Sequence, residues 1–260
     1  MKLLLVSLIS ILMIPVYAND IYVTQTGTGN NLTLDIDQNG INNTVNMSIG
    51  AHTGNTVKVQ QDTDGSYVGY TTAWGSRLSS GGDLDGQDNS LDIRQYCNTA
   101  TCASDRFEFR IVGDGNSVTF GQGYEFTSRT SGWNTDTYEQ GGHFTRLDID
   151  GSRNTYKGSQ RSHNWQSDHT KYITVNGDDN DIFTRQRGNE DKTITLTVNN
   201  DDNEVTLTQR DNAEHNATIT LDGSYPTDIT LLQKTGSAKT YSLTQNCQTS
   251  GGCTISVTQD

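Results

Sequence analysis

The sequence predicts an all-β chain wound as a β-solenoid of about eight strand-turn-strand rungs, and three observations carry that reading. The phrase TVNGDDN at 174–180 returns as TVNNDDN at 197–203. The likeness runs on through DIFTRQRGNED (181–191) and EVTLTQRDNAE (204–214), which gives a repeat of 23 residues. Within the unit, apolar side chains alternate, first as Ile194, Leu196 and Val198, then as Val205 and Leu207 followed by Gln209. That period of two marks strands with one buried face. Between them lie clusters of Asn, Asp and Gly, which favour turns and end strands. One strand-turn-strand unit is marginal in water. Copies stacked at roughly 4.8 Å pair their backbones and bury a shared apolar side.

The elements follow in order. Residues 1–18, MKLLLVSLISILMIPVYA, have one Lys, an apolar run and a small residue at Ala18, the plan of a cleaved secretory signal peptide. The run is too short for a membrane span, and no later stretch is apolar enough for one. Residues 19–260 then form a single solenoid domain at the cell surface or outside the cell. LTLDI and TVKVQ read as early strands, SVTFGQ as a middle one, YSLTQ and ISVTQ as the last two. The frame places 151–154, 177–180 and 200–203 in one recurring turn, with Gln160, Gln186, Gln209 and Gln233 each closing the next strand. Two segments without sustained alternation, near 62–90 and 123–142, are expected to be loop insertions carrying aromatic residues such as Trp74 and Trp133.

An inward Gln costs a few kcal/mol if its amide is buried without a partner. Stacking glutamine on glutamine removes that cost, so Gln186, Gln209 and Gln233 are expected to form a ladder. Cys97 with Cys102, and Cys247 with Cys253, are close pairs that suggest two local disulfides in an exported chain; the alternative is a four-thiolate zinc site. The net charge of −13 makes nucleic acid and anionic membrane poor partners. The mature ends, NDIYVTQ and TISVTQD, enter and leave strands abruptly, and two exposed edges of matching rhythm favour open head-to-tail stacking.

Gln25-x-Gly27-x-x-Asn30 and Gln38-x-Gly40-x-x-Asn43, spaced turns between short alternating strands, resemble the curlin repeat. Curlins are subunits of curli, the extracellular amyloid fibres of bacterial biofilms. The resemblance implies a homopolymer, association with other curlin subunits, and passage through a curli-type outer-membrane secretion machinery. It also implies that Gln25, Asn30, Gln38 and Asn43 support nucleation and growth, with Gln186, Gln209 and Gln233 in the same role. Later turns depart from the motif: Gln186-x-Gly188 is followed by Asp191, and Gln209-x-Asp211 by Glu214. The acidic turn residues Asp178, Asp179, Asp201 and Asp202 would slow assembly at low salt.

Other classes leave weaker marks. Ranks of outward Thr at 193, 195, 197, 206, 208, 218 and 220 allow an ice-binding face, and the aromatic loops allow a carbohydrate adhesin. No cofactor, catalytic residue or metal-ligand set is expected. The chain has no H-E-x-x-H or G-x-S-x-G, and His163 and His169 sit in an expected solvated loop. GGDLDGQDN at 81–89 is only loosely similar to one calcium-roll nonapeptide.

Overall fold

A computed structural model describes residues 19–26, 32–50, 53–61, 65–69, 82–95, 105–122, 142–162 and 167–260. Among them every regular element is a strand, and the strands stack as a parallel β-solenoid with two faces. One face is a nine-stranded sheet: β2 (Thr33–Asp35), β4 (Thr56–Lys58), β7 (Ser90–Gln95), β10 (Ser117–Gln122), β12 (Thr155–Arg161), β13 (Asp181–Arg187), β15 (Glu204–Gln209), β17 (Thr227–Gln233) and β19 (Cys253–Gln259). The other face takes β1 (Asp20–Gln25), β3 (Thr44–Ile49), β5 (Tyr67–Gly69), β6 (Gly82–Leu84), β8 (Arg106–Phe107), β9 (Arg110–Ile111), β11 (Phe144–Thr145), β14 (Lys192–Ile194), β16 (His215–Gly223) and β18 (Lys239–Cys247). Parallel bridges from Phe144 to Thr170 and from Thr170 to Thr193 carry that face across its middle.

The repeat sets the register. Ile182 pairs with Val205 and then Ile229, Thr184 with Leu207 and then Leu231, and Gln186 with Gln209 and then Gln233. Each inward position thus meets its own equivalent one turn away, and the core is a thin layer shared by the two faces. The single change inside the repeated phrase has a steric cause. A Cβ on Gly177 would lie 2.2 Å from the Asn200 carbonyl oxygen, so this turn needs glycine where the next turn packs on it.

The middle turns pack less regularly. Phe120 stands over Gly158, whose missing side chain leaves room for the Tyr156 ring. The Tyr156 hydroxyl and Thr184 Oγ1 are 2.9 Å apart, so this buried phenol is hydrogen-bonded. Lys171 is buried too; its Nζ donates to the Ser159 carbonyl at 2.8 Å and lies 5.0 Å from the Phe120 ring centre.

Three expectations change. The segment 62–90, read as a loop insertion, contains β5 and β6, which pair with the first and second halves of β3 and bury Val68 and Leu84. One short apolar residue per strand was enough to return the chain to the core, too little to show as alternation. Residues 194–198 keep alternating burial, but the regular strand stops at Ile194 and Leu196 takes a φ of 53°. His169, expected in a solvated loop, is fully buried. His163, most of the 123–142 segment, Trp74, Trp133, Asn30, Cys97 and Cys102 lie outside the described residues. Cys247 and Cys253 are joined by a disulfide of 2.08 Å, which rules out the four-thiolate zinc site.

Candidate self-assembly site

Two columns of buried amides run along the solenoid. In the first, Gln160 Nε2 donates to Gln186 Oε1 at 3.0 Å, Gln186 to Gln209 at 3.0 Å, Gln209 to Gln233 at 2.8 Å and Gln233 to Gln259 at 2.8 Å. Towards the chain start the donors point the other way: Gln95 donates to Gln61 at 2.7 Å, and Gln61 to Gln38. The Gln122 amide lies between, 2.7 Å from Gln95 and 2.8 Å from Gln160, so the polarity of the column turns over in the irregular middle. The second hydrogen on these nitrogens is used as well, as when Gln209 Nε2 donates to the Thr193 and His215 carbonyls. Apart from Gln122, whose oxygen meets a neighbouring amide oxygen where the polarity reverses, the inner amides are therefore satisfied in a dry core, where an unmade bond would cost about 1–3 kcal/mol.

The second column stands at the turn leading into the same strands. Asn55, Asn89, Asn116, Asn154, Asn180 and Asn203 are all buried. Asn180 Oδ1 accepts from the Asn203 backbone N–H at 2.9 Å and from its Nδ2 at 2.7 Å, and the bonds repeat from Asn89 to Asn116 and from Asn116 to Asn154. The column ends where Thr227 donates its N–H to Asn203 Oδ1 at 2.7 Å. These asparagines act as internal caps that tie each turn to the one below.

A third column, on the other face, is ionisable. Pairing in register places Asp105, His143, His169, Lys192 and His215 over one another, all of them buried. The His143 and His169 rings stack at 4.7 Å, and His143 Nδ1 accepts from the His169 N–H at 3.1 Å. Burial, aided by Lys171, lowers His143 to about 3; burial and the neighbouring His143 also hold His169 well below its ordinary value. Asp105 accepts from the Gly142 and His143 N–H groups at 3.0 Å, yet burial raises it to about 7. Burial lowers Lys192 to about 8, and its Nζ donates to the Glu190 and Ala213 carbonyls.

The outermost turns complete the geometry. At one end β1 and β2 present Ile21, Val23 and Gln25 beside Leu34, Ile36 and Gln38, in positions equivalent to core residues such as Val45 and Val57. Ile21 is 51% exposed and Leu34 38%. At the other end β18 and β19 present Tyr241, Leu243 and Gln245 beside Ile255, Val257 and Gln259, all half-buried. The two ends thus share one inward pattern: two apolar residues and a glutamine on each face. Gln25 pairs with Ile49, and Gln245 with Leu221, so that column is apolar inside and carries glutamine at its two outer strands.

The sequence-predicted residues fall in different places. Gln186, Gln209 and Gln233 lie in the buried glutamine column, which Gln38 begins half-exposed. Gln25 stands on the opposite face, and Asn43 accepts from the Ser66 N–H at 2.9 Å in the column that continues to Asp105. Sequence reasoning missed the asparagine column and Gln61, Gln95, Gln122 and Gln259. The signal was present: from Asn55–Gln61 to Asn203–Gln209, an Asn stands six places before each ladder Gln. The chain matches no known protein family, no curated protein and no solved structure.

Proposed function

We propose that this protein is an exported structural subunit that stacks end to end into fibres, akin to the curli-type amyloids its first repeats resemble. The observation that supports it most is the matched pattern of the two outer turns. A second copy set in register would lay Tyr241 over Ile21, Leu243 over Val23, Ile255 over Leu34 and Val257 over Ile36. Gln259 would meet Gln38 and extend the amide column that already runs through the body, while Gln245 would meet Gln25 and pair the two glutamines that end an otherwise apolar column. Parallel edges with free backbone groups add hydrogen bonds at every rung. Because the two surfaces differ, the contact is heterologous and does not close into a ring.

The test is growth of the chain starting at Asn19, followed by thioflavin-T fluorescence and electron microscopy. Fibres with a 4.7–4.8 Å axial repeat are expected, and Ile21→Lys or Val257→Lys should each block elongation while leaving the monomer folded. A chain that stays monomeric for days at micromolar concentration removes this reading.

A further inference from the structure

On the outer surface of the nine-stranded face, a cavity of about 290 Å³ is lined by Arg185, Arg187, Gly188, Arg210, Asp211 and Asn212. Three guanidiniums therefore share a wall with one carboxylate, a local excess of positive charge in a chain whose net charge is −13. The arrangement follows from register. Arg185 and Arg187 alternate outward on β13 on either side of the inward Gln186, and Arg210 follows Gln209 one turn on, directly beside Arg187. Like charges on adjoining strands are destabilising, so the repeat brings together what folding alone would keep apart.

The acidic side chain in the wall is already engaged. Asp211 Oδ2 accepts from the Thr235 backbone N–H at 3.0 Å and stands 3.9 Å from Arg210 Nε, at the limit of an ion pair. Burial and the charges of Arg187 and Arg210 bring Arg185 down to about 10, which places the three groups within mutual electrostatic reach. Guanidiniums offer planar forks of N–H donors that match the oxygens of sulfate, phosphate and carboxylate groups.

We propose that this cavity is an oxyanion-binding site for a doubly charged group of the sulfate or phosphate type. A tetrahedral dianion presents several oxygens at once, which suits donor forks that reach the cavity from three side chains on two adjoining turns. The cavity is open at the side of the solenoid, away from the end turns, so a ligand there would be held equally by a monomer and by a stacked fibre. The free inorganic ion and a sulfated sugar carry the same chemistry.

The experiment is calorimetric titration of the folded chain with sodium sulfate, with sodium phosphate and with a monosaccharide sulfate, at ionic strength matched by chloride. Saturable binding of the dianions, without a chloride equivalent, is expected. Arg187→Gln with Arg210→Gln should weaken it at least tenfold, and Asp211→Asn should tighten it several-fold. Arg94→Gln, at a residue ion-paired with Asp92 away from the cavity, should leave it unchanged. Tenfold tighter binding of the sugar sulfate assigns the site to a sulfated glycan, and equal affinity assigns it to the free ion. No saturable heat to millimolar concentration overturns the proposal, as does an unchanged affinity in the double variant whose melting curve shows it folded.

Discussion

The turns from β13 to β19 and the turns between β8 and Lys171 are built on one register yet solve burial differently. In the later turns the core columns hold aliphatic residues, and the inward polar groups on the nine-stranded face, Thr184 and Thr227 aside, are stacked amides that satisfy one another. In the middle turns Phe107, Phe120 and Tyr156 crowd a core that also takes in Asp105, Glu108, His143, His169 and Lys171. Like-on-like stacking works for an amide, which is donor and acceptor at once. It does not work for charged side chains, so histidine, aspartate and lysine need partners of another kind or must give up their charge, as the stacked, neutral His143 and His169 do. On the nine-stranded face the later turns are therefore held by repetition, with Lys192 and His215 continuing the ionisable column on the opposite face. The middle turns rest mainly on local, pH-dependent arrangements.

The largest expected contrast comes from removing one amide. Gln209→Ala opens a cavity and strands the neighbouring amides of Gln186 and Gln233, costing about 2–4 kcal/mol. The half-exposed end residue Gln38, treated the same way, should cost less than about 1 kcal/mol, because water can take the place of its partner. Urea midpoints of the two variants check this, and equal losses would break the comparison.

Acid should then separate the regions. His143 and His169 stay neutral in the fold while an unfolded histidine takes a proton near 6.5, so their contribution is full above that value. It declines as pH falls from about 6.5 towards the folded value, about 3 for His143. Asp105 opposes this: raised to about 7, it stabilises most below 3.8 and loses that contribution as pH climbs from 3.8 to about 7. With two histidines against one carboxyl, amides of 143–162 and 167–171 should lose protection at pH 4.5 relative to pH 7 once each rate is divided by its intrinsic exchange rate at that pH, while the protection of β15 and β17 changes little. Hydrogen exchange by mass spectrometry reads both regions in one sample. Asp105→Asn should steepen the acid loss.

A smaller effect of opposite sign follows at Lys171. Burial holds its ammonium well below the ordinary lysine range, so below about 10.5 the unfolded chain binds a proton that the fold resists. Lys171→Met keeps the packing against Phe120 and removes that penalty, and should stabilise the middle turns by about 1–2 kcal/mol at neutral pH. At the bottom of the scale, the exposed pair of Arg153 and Asp179, 2.6 Å apart, should be dispensable. Arg153→Ala is expected to leave the thermal midpoint within error, since exposed ion pairs are screened and cost side-chain freedom.

Much of the later half was legible because its signals are local and repeated. Ile194, Val205, Leu207 and Gln209 occupy positions that a period of two and a shift of 23 residues identify without coordinates. Asn180 and Asn203 were visible as turn residues but not as buried ones, because a turn-forming Asn and a stacked Asn look alike in sequence. Val68 and Leu84 were hidden by the shortness of their strands, and His169 by the irregular segment before it.

The sequence by itself determined the parallel stack, for a copied phrase can bury its apolar side only against its own copy. It also set the inward glutamines, whose amides pair with any equal placed one rung away. Tertiary structure alone decided which charges share a neighbourhood. Asp105 lies over His143 after 38 residues, and Arg187 beside Arg210 after 23, because burial and backbone pairing fix the height of each turn whatever the length of chain between.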